Sequence, residues 1–176
     1  ETAASGFASK NSSALIGITT LVFVILQVLV ARYWTGDMYF KVGNIAVSTD
    51  NDIYSVYYYR KAVELAPMRE IYWVKYGIGH EKLMRKEQDR QARMGHINEA
   101  LKIHSRTIAM NSMNGYNYNN IARVYKFYGE AVDGNKYAES IRNYEEAIKR
   151  DPNNAYFGLD LCSVYINMRQ WDKAME

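Results

Sequence analysis

The sequence predicts an all-α protein in which one apolar helix is followed by an array of stacked helical hairpins. Residues 11–31 carry no charge, and three later segments resemble one another at helical spacing. Only two of the 176 residues are proline and 16 are tyrosine. Few prolines favour long helices, and large aromatic side chains wedge together the neighbouring helices of a repeat array. No segment has a convincing strand pattern.

Residues 1–13 are predicted to be a polar N-terminal segment, and residues 14–34 a single-pass transmembrane helix. About 20 apolar residues at 1.5 Å per residue span a hydrocarbon core of ~30 Å. The run of about 18 apolar residues is longer than the apolar region of a cleavable signal peptide, and no small-x-small site precedes Arg32. Gln27 is the strongly polar side chain of the inner stretch, where it would contact a neighbouring helix. A buried helix of a soluble protein is the alternative.

Interfacial residues follow the apolar run directly. Arg32, Tyr33 and Trp34 are a cation and two aromatics of the kind that anchor a helix at the headgroup level. Lysine and arginine are nearly balanced across the segment, with Lys10 on one side and Arg32 and Lys41 on the other. The side of the membrane therefore stays open, and the extracytoplasmic side is the favoured alternative for the repeats.

The remainder of the chain contains an internal repeat. The similar segments are YYYRKAVELAP at 57–67, HSRTIAMNS at 104–112 and RNYEEAIKRDP at 142–152. Each resembles the end of the second helix of a tetratricopeptide repeat (TPR), a helix–turn–helix unit of 34 residues. The resemblance implies a TPR-type solenoid over residues 36–176. The expected units are 36–69, 70–114, 115–154 and a partial fourth at 155–176.

Small residues recur at the eighth position of these units, where the two helices of a hairpin touch. Gly43, Gly77, Ala122 and Cys162 take that position in the four units. Pro67, Ser112 and Pro152 take the same position in successive units. The interval from Pro67 to Ser112 exceeds 34 residues by 11, and the interval from Ser112 to Pro152 exceeds it by 6. We expect the charged run at 84–94 to lengthen the second hairpin and the turn-rich segment at 132–137 to enlarge the third.

A narrower resemblance concerns the junction between the apolar helix and the repeats. ARYWTGDMYFKVGN at 31–44, followed by KAVELAP and RDPNNAYFGLDLCSVYINM, is similar to the C-terminal end of bacterial O-antigen ligase/polymerase-like membrane proteins. That resemblance implies a docking or regulatory tail. No residue of a glycosyl-transfer site can be carried over, because the family's multi-helix catalytic portion is not part of this sequence.

The sequence offers no recognisable chemistry of its own. The net charge is +3, from 22 basic and 19 acidic residues without a basic run, which argues against nucleic-acid binding. Cys162 has no second cysteine to pair with, and His80, His96 and His104 lack metal-ligand spacing. No phosphate-binding loop or nucleophile motif is present. We therefore predict a protein that is not an enzyme and that has no cofactor and no metal.

The concave face of the solenoid is the predicted working surface. In the TPR family, first-helix positions 2, 5, 9, 12 and 13 line that face. The candidate groove residues are Tyr116, Asn119, Arg123, Lys126, Phe127 and, from the preceding unit, Lys82. Amide and cationic side chains could bind a carboxylate or an extended peptide through charge-assisted hydrogen bonds.

Three functions are compatible with these features. The first is a scaffold anchored in the lipid bilayer that binds protein partners through its groove. The second is the docking tail of a polysaccharide ligase or polymerase. The third is a structural subunit of a larger membrane complex or filament.

Overall fold

The computed structural model describes residues 2–175, and its side chains are described from residue 14 onward. Every regular element in that part of the chain is a helix. The elements are α1 (Thr2–Ser48), α2 (Asp52–Leu65), α3 (Glu70–Lys86), α4 (Arg90–Met110), α5 (Gly115–Ala131), a 3-10 turn (Gly134–Lys136), α6 (Tyr137–Arg150), α7 (Ala155–Asn167) and α8 (Trp171–Ala174). The prediction of an all-α solenoid preceded by a long apolar helix is confirmed.

Helix α1 runs without a break from the apolar segment into the first repeat. Among the described residues, Ala14–Ser48 is the stretch that is long and apolar enough to cross a membrane, with a mean hydropathy of 2.6 in its most apolar window. None of that window is buried against the rest of the protein. The last part of α1 is different, because Gly36, Gly43 and Ala46 are buried where the helix packs against α2.

Successive helices form antiparallel hairpins that stack side by side: α1 with α2, α3 with α4, α5 with α6, and α7 with the short α8. Small residues allow the helices of a hairpin to approach. A Cβ atom at Gly43 would lie 2.7 Å from Cε1 of Tyr59, and one at Gly77 would lie 2.7 Å from Nε2 of His104. Both distances are too short for a real contact, so a larger residue at the eighth position of either unit would have to displace the facing ring.

Three apolar clusters make up the core, and each joins adjacent elements of the stack. The first contains Ala62, Val63, Ala66 and Tyr72, the second Met84, Ile97, Ala100 and Val124, and the third Ala122, Tyr144 and Val164. Because members of each cluster come from more than one hairpin, no hairpin buries its apolar face alone.

Part of the extra length of the longer units lies in regular structure. Helix α4 has 21 residues, against 14 each in α2 and α6. Its N-cap, Asp89, accepts a hydrogen bond from the Ala92 backbone N–H at 2.7 Å, which explains the start of the helix inside the charged run. In the third unit, three residues form the 3-10 turn, whose start is capped by the Asp133 carboxylate.

Candidate functional site

An open groove of about 640 Å³ lies between α3 and α5, the first helices of the second and third units. We call it the α3–α5 groove. Its lining residues are Glu70, Ile71, Val74, Lys75, Ile78, Asn114, Tyr116, Asn117, Asn120 and Arg123. One wall is therefore aliphatic and the opposite wall is rich in amides.

A carboxylate held by amides closes one end of the groove. Glu70 accepts hydrogen bonds from the side-chain amides of Asn111 and Asn114 at 3.1 Å each and of Asn117 at 2.8 Å. Burial by itself would raise the pKa of Glu70, but these three hydrogen bonds bring it below its usual value. The charge of Glu70 is thus satisfied by the protein, and the contact fixes the second unit to the third.

A buried ion pair lies at the other end. Oε2 of Glu81 accepts from Nε and Nη2 of Arg123 at 3.1 and 2.7 Å. Its Oε1 accepts from Nε2–H of His104 at 2.9 Å. Glu81 is 4% exposed and His104 is fully buried. Burial alone would raise the pKa of Glu81, but the His104 hydrogen bond and the Arg123 charge hold it below the usual value.

The middle of the groove carries a charged group that the described part of the protein leaves unpaired. Lys75 has no hydrogen bond or ion pair with any described residue, and its side chain stands beside Ile71, Val74 and Ile78. Lys75 also borders a smaller cavity of about 190 Å³ between α1 and α3. An unpaired ammonium group next to an aliphatic wall can receive a carboxylate that neighbours an apolar side chain.

Some of the predicted groove residues have the expected position. Tyr116 and Arg123 line the α3–α5 groove, although Arg123 is already paired with Glu81. The Tyr116 hydroxyl accepts a hydrogen bond from the Asn154 amide at 2.9 Å. Lys82 lines the smaller α1–α3 cavity, where its Nζ lies 3.4 Å from a carboxylate oxygen of Asp52.

The other three predicted residues do not line this groove. Asn119 is buried, and its Oδ1 has no partner among the described residues. Lys126 lies against α7, where its Nζ donates to Oγ of Ser163 at 2.8 Å. Phe127 packs against the second core cluster, with the Arg85 guanidinium 5.2 Å from its ring centroid.

Sequence reasoning missed Lys75, Asn117 and Asn120, which do line the groove. Each α-helical residue is turned by ~100° from the one before. Asn120 therefore faces a different direction from its neighbour Asn119. Lys75 and Asn120 are polar residues at the sixth position of the second and third units. This shared position in the repeat could have indicated that both line the groove.

The four predicted membrane-anchor residues are all exposed. Gln27, Tyr33 and Trp34 are exposed, Trp34 by 67%. Nη2 of Arg32 donates to the backbone carbonyl of Glu64 at 3.3 Å. The last turn of α2 therefore lies beside the end of the apolar segment.

Within residues 14–175, no three His, Cys, Asp or Glu side chains lie close enough together to hold a metal ion. His80 and His96 approach each other, with 3.1 Å between their Nδ1 atoms. Burial, followed by the neighbouring His96, lowers the pKa of His80 to about 4. His80 is therefore neutral at physiological pH, and the pair joins α3 to α4.

Comparisons with known proteins agree with this architecture. A tetratricopeptide-repeat family model matches residues 131–176. No curated protein matches significantly in sequence. These results support the repeat and give no support to the narrower resemblance to O-antigen ligases.

Many solved structures share the fold at low sequence identity. A thermophilic TPR protein of Thermus thermophilus, TTC0263, aligns with a TM-score of 0.68 at 14% identity, over 79% of this chain and 68% of that chain. MamA of Desulfovibrio magneticus RS-1 aligns at 0.63 and 13%, over 80% and 70%. The first TPR of Spaghetti (RPAP3), bound to the HSP90 peptide SRMEEVD, aligns at 0.60 and 14%, over 78% and 95%. The chain therefore has the tetratricopeptide-repeat fold, and its residues 131–176 match that family's sequence model.

Proposed function

We propose that this chain is a membrane-anchored TPR scaffold whose α3–α5 groove binds an extended segment of a protein partner, without catalytic activity of its own. The observation that carries the proposal is the unpaired Lys75 beside the aliphatic wall of Ile71, Val74 and Ile78. Charged groups at both ends of the groove are satisfied internally. In the middle of the groove, the Lys75 ammonium is still available to bind a ligand.

The chemistry of the middle defines the kind of segment it would hold. A partner with a carboxylate near an aliphatic side chain would pair with Lys75 and cover the apolar wall at the same time. Asn120 adds an amide, which can donate to a backbone carbonyl of an extended peptide. The likeness to the TPR of Spaghetti is in keeping with this occupant, since that domain is bound to the acidic peptide SRMEEVD.

Membrane anchoring is supported by the properties of α1. Its apolar window is wholly unburied, whereas a core helix of a soluble protein would be covered by its neighbours. The helix also continues into the first repeat without a break. A spanning helix of this kind would fix the orientation of the array on the membrane and hold the groove at a constant distance from the bilayer.

The groove can be tested with a charge exchange in the full chain, reconstituted in nanodiscs. We would measure binding of two fluorescent heptapeptide pools that share their aliphatic residues and carry either Asp/Glu or Lys/Arg. The wild type should prefer the acidic pool, and Lys75→Glu should reverse that preference. Lys149→Glu is the matched control, because Lys149 is exposed on α6, away from the groove. Equal preferences in the wild type and Lys75→Glu would refute the groove proposal.

The docking tail of a polysaccharide ligase or polymerase is the second proposal. The continuous helix from the apolar segment into the repeats is the observation in its favour, since such a joint would transmit the position of the array to further membrane helices. The native reading frame tests this second proposal. About ten further hydrophobic spans encoded upstream would support a docking tail. A role as structural subunit of a membrane complex would instead require Gln27 and the exposed face of α1 to contact another protein helix.

A further inference from the structure

We propose that one edge of the repeat array rests on the bilayer surface as a second lipid contact, separate from the spanning helix. We call it the proximal edge and define it as the α2–α3 loop (residues 66–69) and the α4–α5 loop (residues 111–114). The proposed occupant is the lipid bilayer that α1 would span. The inference rests on the proposed membrane anchoring of α1 and adds an orientation for the array above the membrane.

The first step is the height of the α2–α3 loop. Gly36 of α1 packs against this loop, since a Cβ there would lie 3.4 Å from Cβ of Ala66. Gly36 is four residues beyond Arg32, which is about 6 Å along a helix. The interfacial region on each side of a bilayer is about 5–7 Å thick. With Arg32 at the end of the apolar run, the α2–α3 loop reaches the headgroup level.

The second step places the α4–α5 loop at the same edge. Glu70 begins α3 next to the α2–α3 loop, and its carboxylate accepts hydrogen bonds from Asn111 and Asn114 in the α4–α5 loop, at 3.1 Å each. Alternate helices of the solenoid run antiparallel, so every connection from a second helix to the next first helix lies on one edge. The first two such connections are the nearest to α1 and are tied together.

The side chains at the tips of these loops suit a lipid surface. Met68 is 76% exposed and Met113 is 80% exposed, and the protein offers neither of them a covering partner. Arg69 adds a cation whose side chain is 47% exposed and whose Nη2 lies 3.5 Å from a carboxylate oxygen of Asp37. Neither loop contains an acidic residue. Exposed apolar tips are the pattern expected where a protein surface enters the headgroup region of a bilayer.

The opposite edge of the same two hairpins has the reverse character. Its turns, residues 49–51 and 87–89, contain Asp50, Glu87 and Asp89 and no apolar residue. The Asp50 side chain is 83% exposed and pairs with Lys86 at 2.8 Å. These turns lack the exposed methionines of the proximal edge, which agrees with the orientation that α1 imposes.

Site-directed spin labelling of the full chain in nanodiscs containing anionic lipid tests the proposal. On a Cys162→Ala background, single labels are placed at Met68→Cys, Met113→Cys, Gln88→Cys at the distal edge, and Val24→Cys in the apolar segment. All four parent side chains are exposed, so labelling should leave the fold intact. Relaxation by lipid-soluble oxygen is then compared with relaxation by a water-soluble nickel chelate.

We expect the labels at 68 and 113 to be relaxed preferentially by oxygen, as at 24, and the label at 88 to be relaxed by the nickel chelate. Labels at 68 and 113 that are as accessible to nickel as the one at 88 would overturn the proposal. The label at 24 then identifies the cause. If it reports lipid, the anchor stands and the second contact is wrong; if it reports water, the anchoring proposal has failed as well.

Discussion

The middle of the α3–α5 groove and the end that holds Glu81 differ in how their charges are paired. At that end, Glu81 is bonded to both Arg123 and His104. In the middle, Lys75 has no partner among the described side chains. Both regions belong to the same two helices, so exposure on a concave face does not by itself make a residue available for binding. We expect paired charges to matter for stability and unpaired ones for recognition.

The largest effect should come from breaking the buried pair. Arg123→Ala leaves the Glu81 carboxylate at 4% exposure with His104 as its remaining partner. Removing one member of a buried ion pair costs about 3–5 kcal/mol; because the Arg123 side chain is 32% exposed, we expect about 3 kcal/mol. Thermal unfolding of the full chain in nonionic detergent, followed by circular dichroism, measures this loss.

A double-mutant cycle separates that cost from simple loss of packing. Glu81→Gln removes the charge that Arg123 neutralises, so the double variant should be less destabilised than the sum of the two single variants. Additive effects would show that the pair contributes little, and the distinction between the paired and unpaired regions would lose its basis.

The second-largest effect concerns the contact that supports the pair. A Cβ at Gly77 would lie 2.7 Å from Nε2 of His104, the atom that donates to Glu81. Gly77→Ala should therefore displace His104 and cost about 2 kcal/mol through overpacking. The control is Gly95→Ala in α4, where a Cβ meets nothing within 4 Å. That substitution should stabilise the helix by about 0.5–1 kcal/mol, and matching melts for the two variants would disprove the proposed contact.

Acid should weaken the same hairpin through His80. The folded-state pKa of about 4 lies below the ordinary value of 6.5, so the unfolded state takes up a proton first as the pH falls. Stability is complete above pH 6.5 and decreases toward pH 4, by about 2 kcal/mol at pH 5. Glu81 and Glu70 have pKa values below 4.5 and affect stability only in more acidic solution.

The His80→Gln variant isolates this contribution. His80 faces the Tyr76 ring, at 5.0 Å between centroids, and His96, with Glu99 and His104 also close enough to influence its charge. Denaturant unfolding at pH 7 and pH 5 should show the loss in the wild type and little of it in the variant. An equal loss in both would assign the pH dependence to another group.

The repeat pattern was sufficient to predict the architecture but not the pairing within the groove. Gly43 and Gly77 lie at the helix–helix contacts where the sequence predicted them. Close helix contacts require small residues, and each of these contacts lies within a single repeat unit. The pairing of Arg123 was not predictable in the same way, because Glu81 is 42 residues away and His104 comes from a third helix. Phe127 was assigned to the groove because of its position in the repeat. In the structure it packs instead against the core cluster that contains Ile97 and Ala100 of the long helix α4.

The smallest effect on stability should come from the residue that we expect to matter most for binding. Lys75 has no hydrogen bond or ion pair to lose, so Lys75→Ala should change the free energy of unfolding by less than about 0.5 kcal/mol. Lys82 is the matched comparison, since it lies two turns later on α3 and approaches Asp52, whose side chain is 3% exposed. Lys82→Ala should cost about 1 kcal/mol, a moderate loss because Lys86 still pairs with Asp52 at 2.7 Å. Parallel melts of the two variants measure the difference. If Lys75→Ala were the more destabilising of the two, Lys75 would have a structural partner in solution, and the middle of the groove would no longer be the region that remains open for a ligand.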